Sequence, residues 1–406
     1  MQSAVDNLFS VIILFFIVTV GLLFLYPLFY VPKTEAKEHQ LEDIAVATFN
    51  KIISTPGIPP DWGTDLSINA SNLQAFGLAK ANATLPYTLD INKILRITNS
   101  SSFSMPSTAY IDPETIAKLL GLRGENRYEF SITITPALNI SYVPLSYLNI
   151  GSQKNPDLIP TTFKVTVTNY AGKPVANANV TITYVLVVVE TKGQSQDVYY
   201  YNTTSVTALT DWSGEVMINA TVWVSQVLSA YNKNNLKRAA LTVLITAWYN
   251  GIRSMMPYAY KNGSNLLYAS TLGNYLFLLY PAELIPSGAF QVTYSALEFV
   301  PPIYVYPDYI TNQTNGNAGQ IINRGSKKYR VYQLDHAVED DVALLLVPAK
   351  YTGNYYNIIA FRVPYVMSFS TGKPGGGIKT VVLESLVKIG SYDYLFRLTM
   401  WRSGEY

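Results

Sequence analysis

Apolar positions are unevenly distributed along the chain. From Leu8 to Val31 it reads LFSVIILFFIVTVGLLFLYPLFYV with no charged residue. About 20 apolar residues cross a bilayer core as a helix, so this segment is expected to be a membrane anchor or an equivalent buried helix. The preceding MQSAVDN has an acid and no base, and the segment ends in Tyr26, Pro27, Phe29 and Tyr30. Such aromatics suit a membrane interface, and both features favour a retained anchor over a cleaved signal peptide. Beyond it, Leu41, Ile44, Ala45, Thr48, Phe49 and Ile52 recur at helical spacing within 34–55. That pattern predicts an amphipathic stalk, bent at Pro32 and stopped by Pro56-Gly57.

After the stalk the pattern becomes short and mixed. Trp62, in the PPDWG turn, is expected to plug a core. Leu89–Ile97 is a short helix candidate. Asp112-Pro113 opens another helix by side-chain cap and fixed φ, with Ile116, Leu119 and Leu120 on its apolar face and Gly121 as its stop. Tyr128–Thr135 alternates as a strand. From 159 to 250, alternation at Phe163, Val165 and Val167 precedes a turn at Asn169–Pro174. Val175, Val180, Ile182 and Tyr184 carry the next strand. Asn202–Thr210, Thr210–Val224 and Leu241–Trp248 are expected to supply more, with a turn at Trp212-Ser213-Gly214. Short alternating strands at this spacing predict a β-sandwich. Further strand candidates are Tyr275–Tyr280, Phe290–Leu297, Ile303–Tyr306, Tyr329–Gln333, Val342–Val347, Ile358–Val363, Thr380–Val387 and Tyr392–Trp401. The last, YLFRLTMW, echoes YEFSITI at 128–134, and the two are expected to pair in one sheet.

The expected fold class is therefore a long N-terminal hydrophobic helix followed by mainly-β extracellular domains of sandwich type. The expected divisions are 1–31 (transmembrane or filament-core helix), 32–56 (amphipathic stalk), 57–158 (α+β head), 159–250 (immunoglobulin-like sandwich) and 251–406 (β-rich C-terminal domain).

Composition narrows the class. Charged residues are 14% of the chain and the net charge is +2, against about a quarter charged in ordinary globular domains. Nucleic acid is not indicated as a partner. Cysteine is absent, which removes disulfides, thiolate metal sites and thiol nucleophiles. Tyrosine occurs 32 times and supplies broad amphipathic contact area. Asn-X-Ser/Thr sequons begin at Asn69, Asn82, Asn99, Asn139, Asn179, Asn202, Asn219, Asn262 and Asn312. All follow the apolar segment, and they read either as composition alone or as a glycosylated outer surface.

Candidate chemistry is sparse. Only His39 and His336 are present. His336 lies among Asp335, Glu339, Asp340 and Asp341, a group read as a charged turn with a cation site as the alternative. The GKPGGG stretch at Gly372–Gly377 lacks the Lys-Ser/Thr and helix start of a phosphate loop, and is expected to be a hairpin loop. No nucleophile elbow, HExxH or dinucleotide fingerprint occurs. No catalytic, cofactor-binding or metal-ligating residue is assigned, and no cofactor is implied.

A resemblance extends over roughly residues 1–135. The long helix, TPGIPPDWG at Thr55–Gly63, FGLAKAN at Phe76–Asn82, YTLDINKI at Tyr87–Ile94 and LLGLRGENRYEFSITI at Leu119–Ile134 resemble archaeal pilin-like proteins of the class III signal peptide and type IV pilin superfamily. Asp6 stands where such a helix would carry a carboxylate if Met1 were lost; its other reading is a charge at the edge of a membrane helix. The VTVTNYAGKPVANANVTI string resembles immunoglobulin-like or carboxypeptidase-regulatory-like repeats. These resemblances imply a structural cell-surface protein, a pilin-like subunit of an extracellular filament, located at the membrane or in the filament. The alternatives are a monomeric membrane-anchored adhesion module and a membrane-anchored glycan-acting enzyme. The implied partners are membrane lipids, sister chains packed through the N-terminal helix, and surface glycans.

Overall fold

The protein is described as a computed structural model. It covers residues 11, 13–21, 39–98, 109–124, 127–149, 158–192, 196–231, 236–260, 267–272, 275–280, 297–299, 304–306, 320–324, 327–333, 344–351, 354–361, 367–370 and 379–403. The chain is a mixed α/β fold of several short helices and sheets, which corrects the expected fold class. Of the N-terminal apolar segment, residues 11 and 13–21 are described, and all are helical. No helix among the described residues is long and apolar enough to cross a membrane.

Helix α1, residues 39–54, does carry the amphipathic stripe the sequence predicts. Leu41, Ala45, Thr48, Ile52 and Ile53 are buried, and Ile44 and Phe49 are partly so. The stripe is occupied within the chain itself. Phe49 meets Phe396 edge-on at 5.6 Å, so α1 lies on a four-stranded sheet ordered β17-β1-β19-β18. These strands are β1 (Tyr128–Pro136), β17 (Met367–Ser370), β18 (Thr380–Ile389) and β19 (Tyr392–Arg402). β1 and β19 pair antiparallel from Tyr128↔Arg402 to Pro136↔Tyr394, as their echoing sequences predict. Phe130, Ile132 and Ile134 alternate inward with Phe396, Leu398 and Met400.

Two short helices complete this first unit. In α2 (Ile91–Ile97), Asp90 caps the Asn92 N–H. In α3 (Pro113–Leu119), Asp112 accepts from Thr115 N at 2.9 Å and Pro113 opens the first turn. Gly121 then takes φ +78°, the left-handed geometry that ends helices.

The second unit has two sheets packed face to face. One is ordered β2-β3-β6 and the other β5-β4-β7-β8. The strands are β2 (Leu138–Asn149), β3 (Leu158–Asn169), β4 (Asn179–Lys192), β5 (Gln196–Leu209), β6 (Glu215–Asn219), β7 (Leu236–Tyr249) and β8 (Ile252–Tyr260). Phe163, Val165 and Val167 of β3 meet Val180, Ile182 and Tyr184 of β4 in one core. The 210–224 stretch departs from expectation. Only Glu215–Asn219 is strand, and Thr221–Ser229 is helix α4. Alternation alone does not separate TVWV from a buried helical turn. Here Val224 and Leu228, four residues apart, are its buried positions, the helical spacing.

A third, six-stranded sheet is ordered β13-β14-β10-β9-β16-β15. It contains β9 (Leu267–Leu272), β10 (Tyr275–Tyr280), β13 (Gln320–Arg324), β14 (Lys327–Gln333), β15 (Leu344–Tyr351) and β16 (Asn354–Phe361). The pair β11 (Leu297–Phe299) and β12 (Tyr304–Tyr306) stands apart.

The first two units share a boundary. Val185, Leu244 and Met255, on the outer side of the β5-β4-β7-β8 sheet, belong to the first unit's core. Asp393 ties the seam. Its carboxylate accepts from Arg253 N at 2.8 Å and from Lys388 Nζ at 2.7 Å, while its carbonyl accepts from Ala137 N at 3.0 Å. The Arg253 guanidinium lies 5.0 Å over the Tyr392 ring.

Candidate interaction face

Two constellations stand out, one buried and one exposed. The buried one surrounds Trp62. Lys93 and Arg96 on α2 are both fully buried. Lys93 Nζ donates to the carbonyls of Pro56 at 2.8 Å and Ala79 at 2.7 Å. Arg96 donates to the carbonyls of Ala109, Asp65, Trp62 and Ile68. The Trp62 indole N–H reaches Pro56 O at 3.1 Å and Gly77 O at 3.2 Å. Burial pulls the Lys93 ammonium down to about 8, partly offset by Asp90 and Asp61. Burial also lowers Arg96, to about 10. Each cation is occupied by main-chain oxygens of loops that have no ladder of their own. The constellation is therefore a structural knot, with Trp62 its plug. Gly77 is part of it, because a Cβ there would lie 2.1 Å from Thr55 O.

The exposed constellation lies on the outer side of the β5-β4-β7-β8 sheet. Residues directly opposite across a ladder share a face, so register builds it row by row. Asn179 stands between Leu209 and Trp248. Thr181 stands between Thr207 and Thr246, and Thr183 is opposite Ser205. Thr181 and Thr207 hydroxyls are 3.0 Å apart, and Thr183 and Ser205 hydroxyls 2.9 Å. Leu209 is 62% exposed and Trp248 57%. Between them the Asn179 Oδ1 has no hydrogen-bond partner. Farther along the same face, Leu244 and Val185 are buried in the seam with the first unit. One sheet surface is thus half covered and half open.

Trp212, 87% exposed, follows in the turn after Leu209. Asp211 shapes that turn by accepting from Ser213 N, Ser213 Oγ and Glu215 N. The Ser213 hydroxyl is the main reason the Asp211 carboxyl sits below the usual carboxylate range. Large apolar side chains beside neutral hydroxyls suit contact with another macromolecule and offer no proton-transfer group.

The residues singled out from sequence fall elsewhere. His39 is exposed, 3.8 Å from Glu42. Asp6, the 335–341 acidic group, Gly372–Gly377 and the sequons at Asn99, Asn262 and Asn312 lie outside the described residues. Among the described residues no group of His, Asp and Glu is arranged to hold a metal ion. Trp248 was legible only as a strand end and Trp212 only as a turn residue. The signal that unites them is register, which links positions 209, 179 and 248.

No protein-family model matches the chain, and no curated protein matches its sequence. Together with the lack of a long apolar helix among the described residues, this overturns the pilin-like resemblance. No family model supports the immunoglobulin-like or carboxypeptidase-regulatory-like likeness either. The functions built on them fall too: filament subunit, anchored adhesion module and anchored glycan-acting enzyme. Membrane lipids, association through the N-terminal helix and surface glycans lose their support as partners. The same holds for the membrane or filament location and for the descriptions archaeal and glycoprotein. The physical reason is plainest at α1, whose apolar stripe is spent on the chain's own sheet.

Proposed function

We propose that this protein is an assembly module that docks another polypeptide through the open half of the β5-β4-β7-β8 sheet. The observation that carries this is the row Leu209–Asn179–Trp248, in which two large exposed apolar side chains stand on either side of Asn179. Exposed Trp on a rigid strand is a strong anchor, because little rotamer freedom is lost on contact. The one charge in these rows, Arg253 opposite Trp248, is turned onto the Tyr392 ring at the seam, so the attraction is mainly apolar and hydroxyl-mediated. Association is expected to change little between low and high salt, unlike a charge-steered encounter.

Hydroxyl-radical footprinting of the full chain tests this. Trp248, Leu209 and Trp212 should be oxidised readily in dilute pure protein and protected in native extract. Met217, 58% exposed on the other sheet, and Tyr170, 64% exposed in a turn, serve as controls that stay reactive in both. Equal oxidation of Trp248 and Leu209 in the two conditions refutes the reading.

A further inference from the structure

An edge strand leaves a row of main-chain donors and acceptors unpaired, and proteins normally blunt it with charge, proline, a bulge, shortness or a cover. Among the described residues, the sheet edges carry such devices with one exception. β2 has Pro144 and a broken register between Pro144 and Tyr147. β6 is five residues long and β17 four. β8 contains Arg253 and Pro257. β13 contains Arg324, and β15 contains Pro348 and Lys350. β18 carries Glu384 and Lys388, and its end is covered by residues 87–89, with Leu89 N donating to Lys388 O and Lys388 N to Tyr87 O.

The exception is β5. It pairs with β4 alone, in unbroken register from Asn179↔Leu209 to Lys192↔Gln196. From Val198 to Leu209 it reads VYYYNTTSVTAL, with no charge, proline or glycine. Thr203, Ser205, Val206, Thr207 and Leu209 are exposed. The composition is rich in β-branched and aromatic residues, which favour strands.

We infer that β5 is the docking edge for a second copy of this chain, whose own β5 adds antiparallel about a two-fold axis at Thr204. The inference rests on the assembly reading and names its partner. The one charge of β5, Asp197, sits at its hairpin end; an edge uncharged over residues 198–209 selects a strand uncharged over the same length, as β5 itself is. Pairing about Thr204 sets Thr203 opposite Ser205 and Asn202 opposite Val206 of the second copy. A two-fold axis normal to the sheet keeps outward residues outward, so the hydroxyl rows of both copies join. The contact is isologous and closes at two copies. It uses no residue of 1–38.

Because the chain has no cysteine, a single introduced one reports its neighbours cleanly. Full-length protein should sediment as a dimer at micromolar concentration. Thr204→Lys should move it to monomer, as edge lysines block strand addition. Under mild oxidation Thr204→Cys should give a covalent dimer, and Met217→Cys, on the other sheet, should not. A monomeric wild type, or equal cross-linking from both cysteines, overturns the inference. The cysteine pair decides the matter even if Thr204→Lys folds poorly. A monomeric chain whose Trp248 and Leu209 are still protected in extract would sink the β5 pairing while leaving the docking face standing.

Discussion

The first unit buries Lys93 and Arg96 at its centre, whereas the buried polar residues described in the second unit, Thr161, Thr210 and Ser254, are all neutral. The difference follows from the backbone. In the second unit nearly every core residue sits on a strand, and the ladders satisfy their own N–H and C=O groups. Phe163 then packs tilted against Tyr142 at 5.6 Å and Tyr184 at 5.8 Å. In the first unit the chain between α1 and α2 is irregular, and the carbonyls of Pro56, Trp62, Asp65, Ile68 and Ala79 turn inward. Two long cationic side chains on one seven-residue helix meet them. Irregular backbone inside a core demands buried donors, and α2 is their carrier.

Arg96→Met is the sharpest way to break this contrast. It keeps an apolar stem but strands the carbonyls of Trp62, Ile68 and Ala109, each costing about 1–3 kcal/mol when buried and unpaired. The sum rivals the whole stability of a domain. Loss of cooperative unfolding in the first unit is expected, read as collapse of amide-exchange protection in α2 and β19. Phe163→Ala, in the second unit, is expected to cost about 3–5 kcal/mol as a cavity and to leave a cooperative transition. If Arg96→Met proved the milder of the two, the knot would not be what holds the first unit.

Lys93 sharpens the comparison through pH. Its folded ammonium titrates near 8, below the usual value near 10.4. Below pH 8 both states hold the proton and the burial cost is fully present. Between about 8 and 10 the folded state sheds it while the unfolded chain retains it, so unfolding takes up a proton and stability rises with pH. Above 10 the trend is opposed by Tyr392, whose hydroxyl burial pushes up to about 12. There the unfolded chain ionises first and stability falls. Chemical denaturation from pH 7 to 10 should show the rise in wild type and its loss in Lys93→Met. The substitution should itself cost about 1–3 kcal/mol at pH 7, from the stranded Ala79 carbonyl, since Pro56 O keeps the Trp62 indole N–H. An identical pH slope in both proteins would remove Lys93 as its source.

How far the sequence reveals this depends on the range of the interaction. The β1–β19 pairing was legible because two similar alternating strings are complementary wherever they lie. The Asp112-Pro113 helix start was legible because a cap is local. Strand β2 was missed, because Pro144 breaks its pattern, and an edge position is what tolerates Pro144. In INKILRI nothing distinguishes a lysine and arginine facing solvent from a pair buried on carbonyls, since those carbonyls lie 13 to 37 residues away. The candidate face was illegible for the same reason. Leu209, Asn179 and Trp248 form a row only once the register is fixed.

The smallest expected effect separates the helices of the two units. In α3 the Asp112 carboxylate accepts from both Thr115 N at 2.9 Å and Thr115 Oγ1 at 2.6 Å, and those bonds offset burial to keep its pKa low. Helix α4 begins at Ala220 without a side-chain cap, and only the neighbouring Asn219 reaches in, accepting from Thr221 N at 2.9 Å. Asp112→Ala should therefore cost about 1 kcal/mol, the usual worth of a cap. Asn219→Ala, on an exposed residue outside the cap position, should cost less than half of that, about 0.5 kcal/mol. α4 is held by Val224 and Leu228 in the apolar core, and α3 by its capped end as well as by Ile116. Equal losses in matched urea titrations would show that burial, not capping, positions both helices.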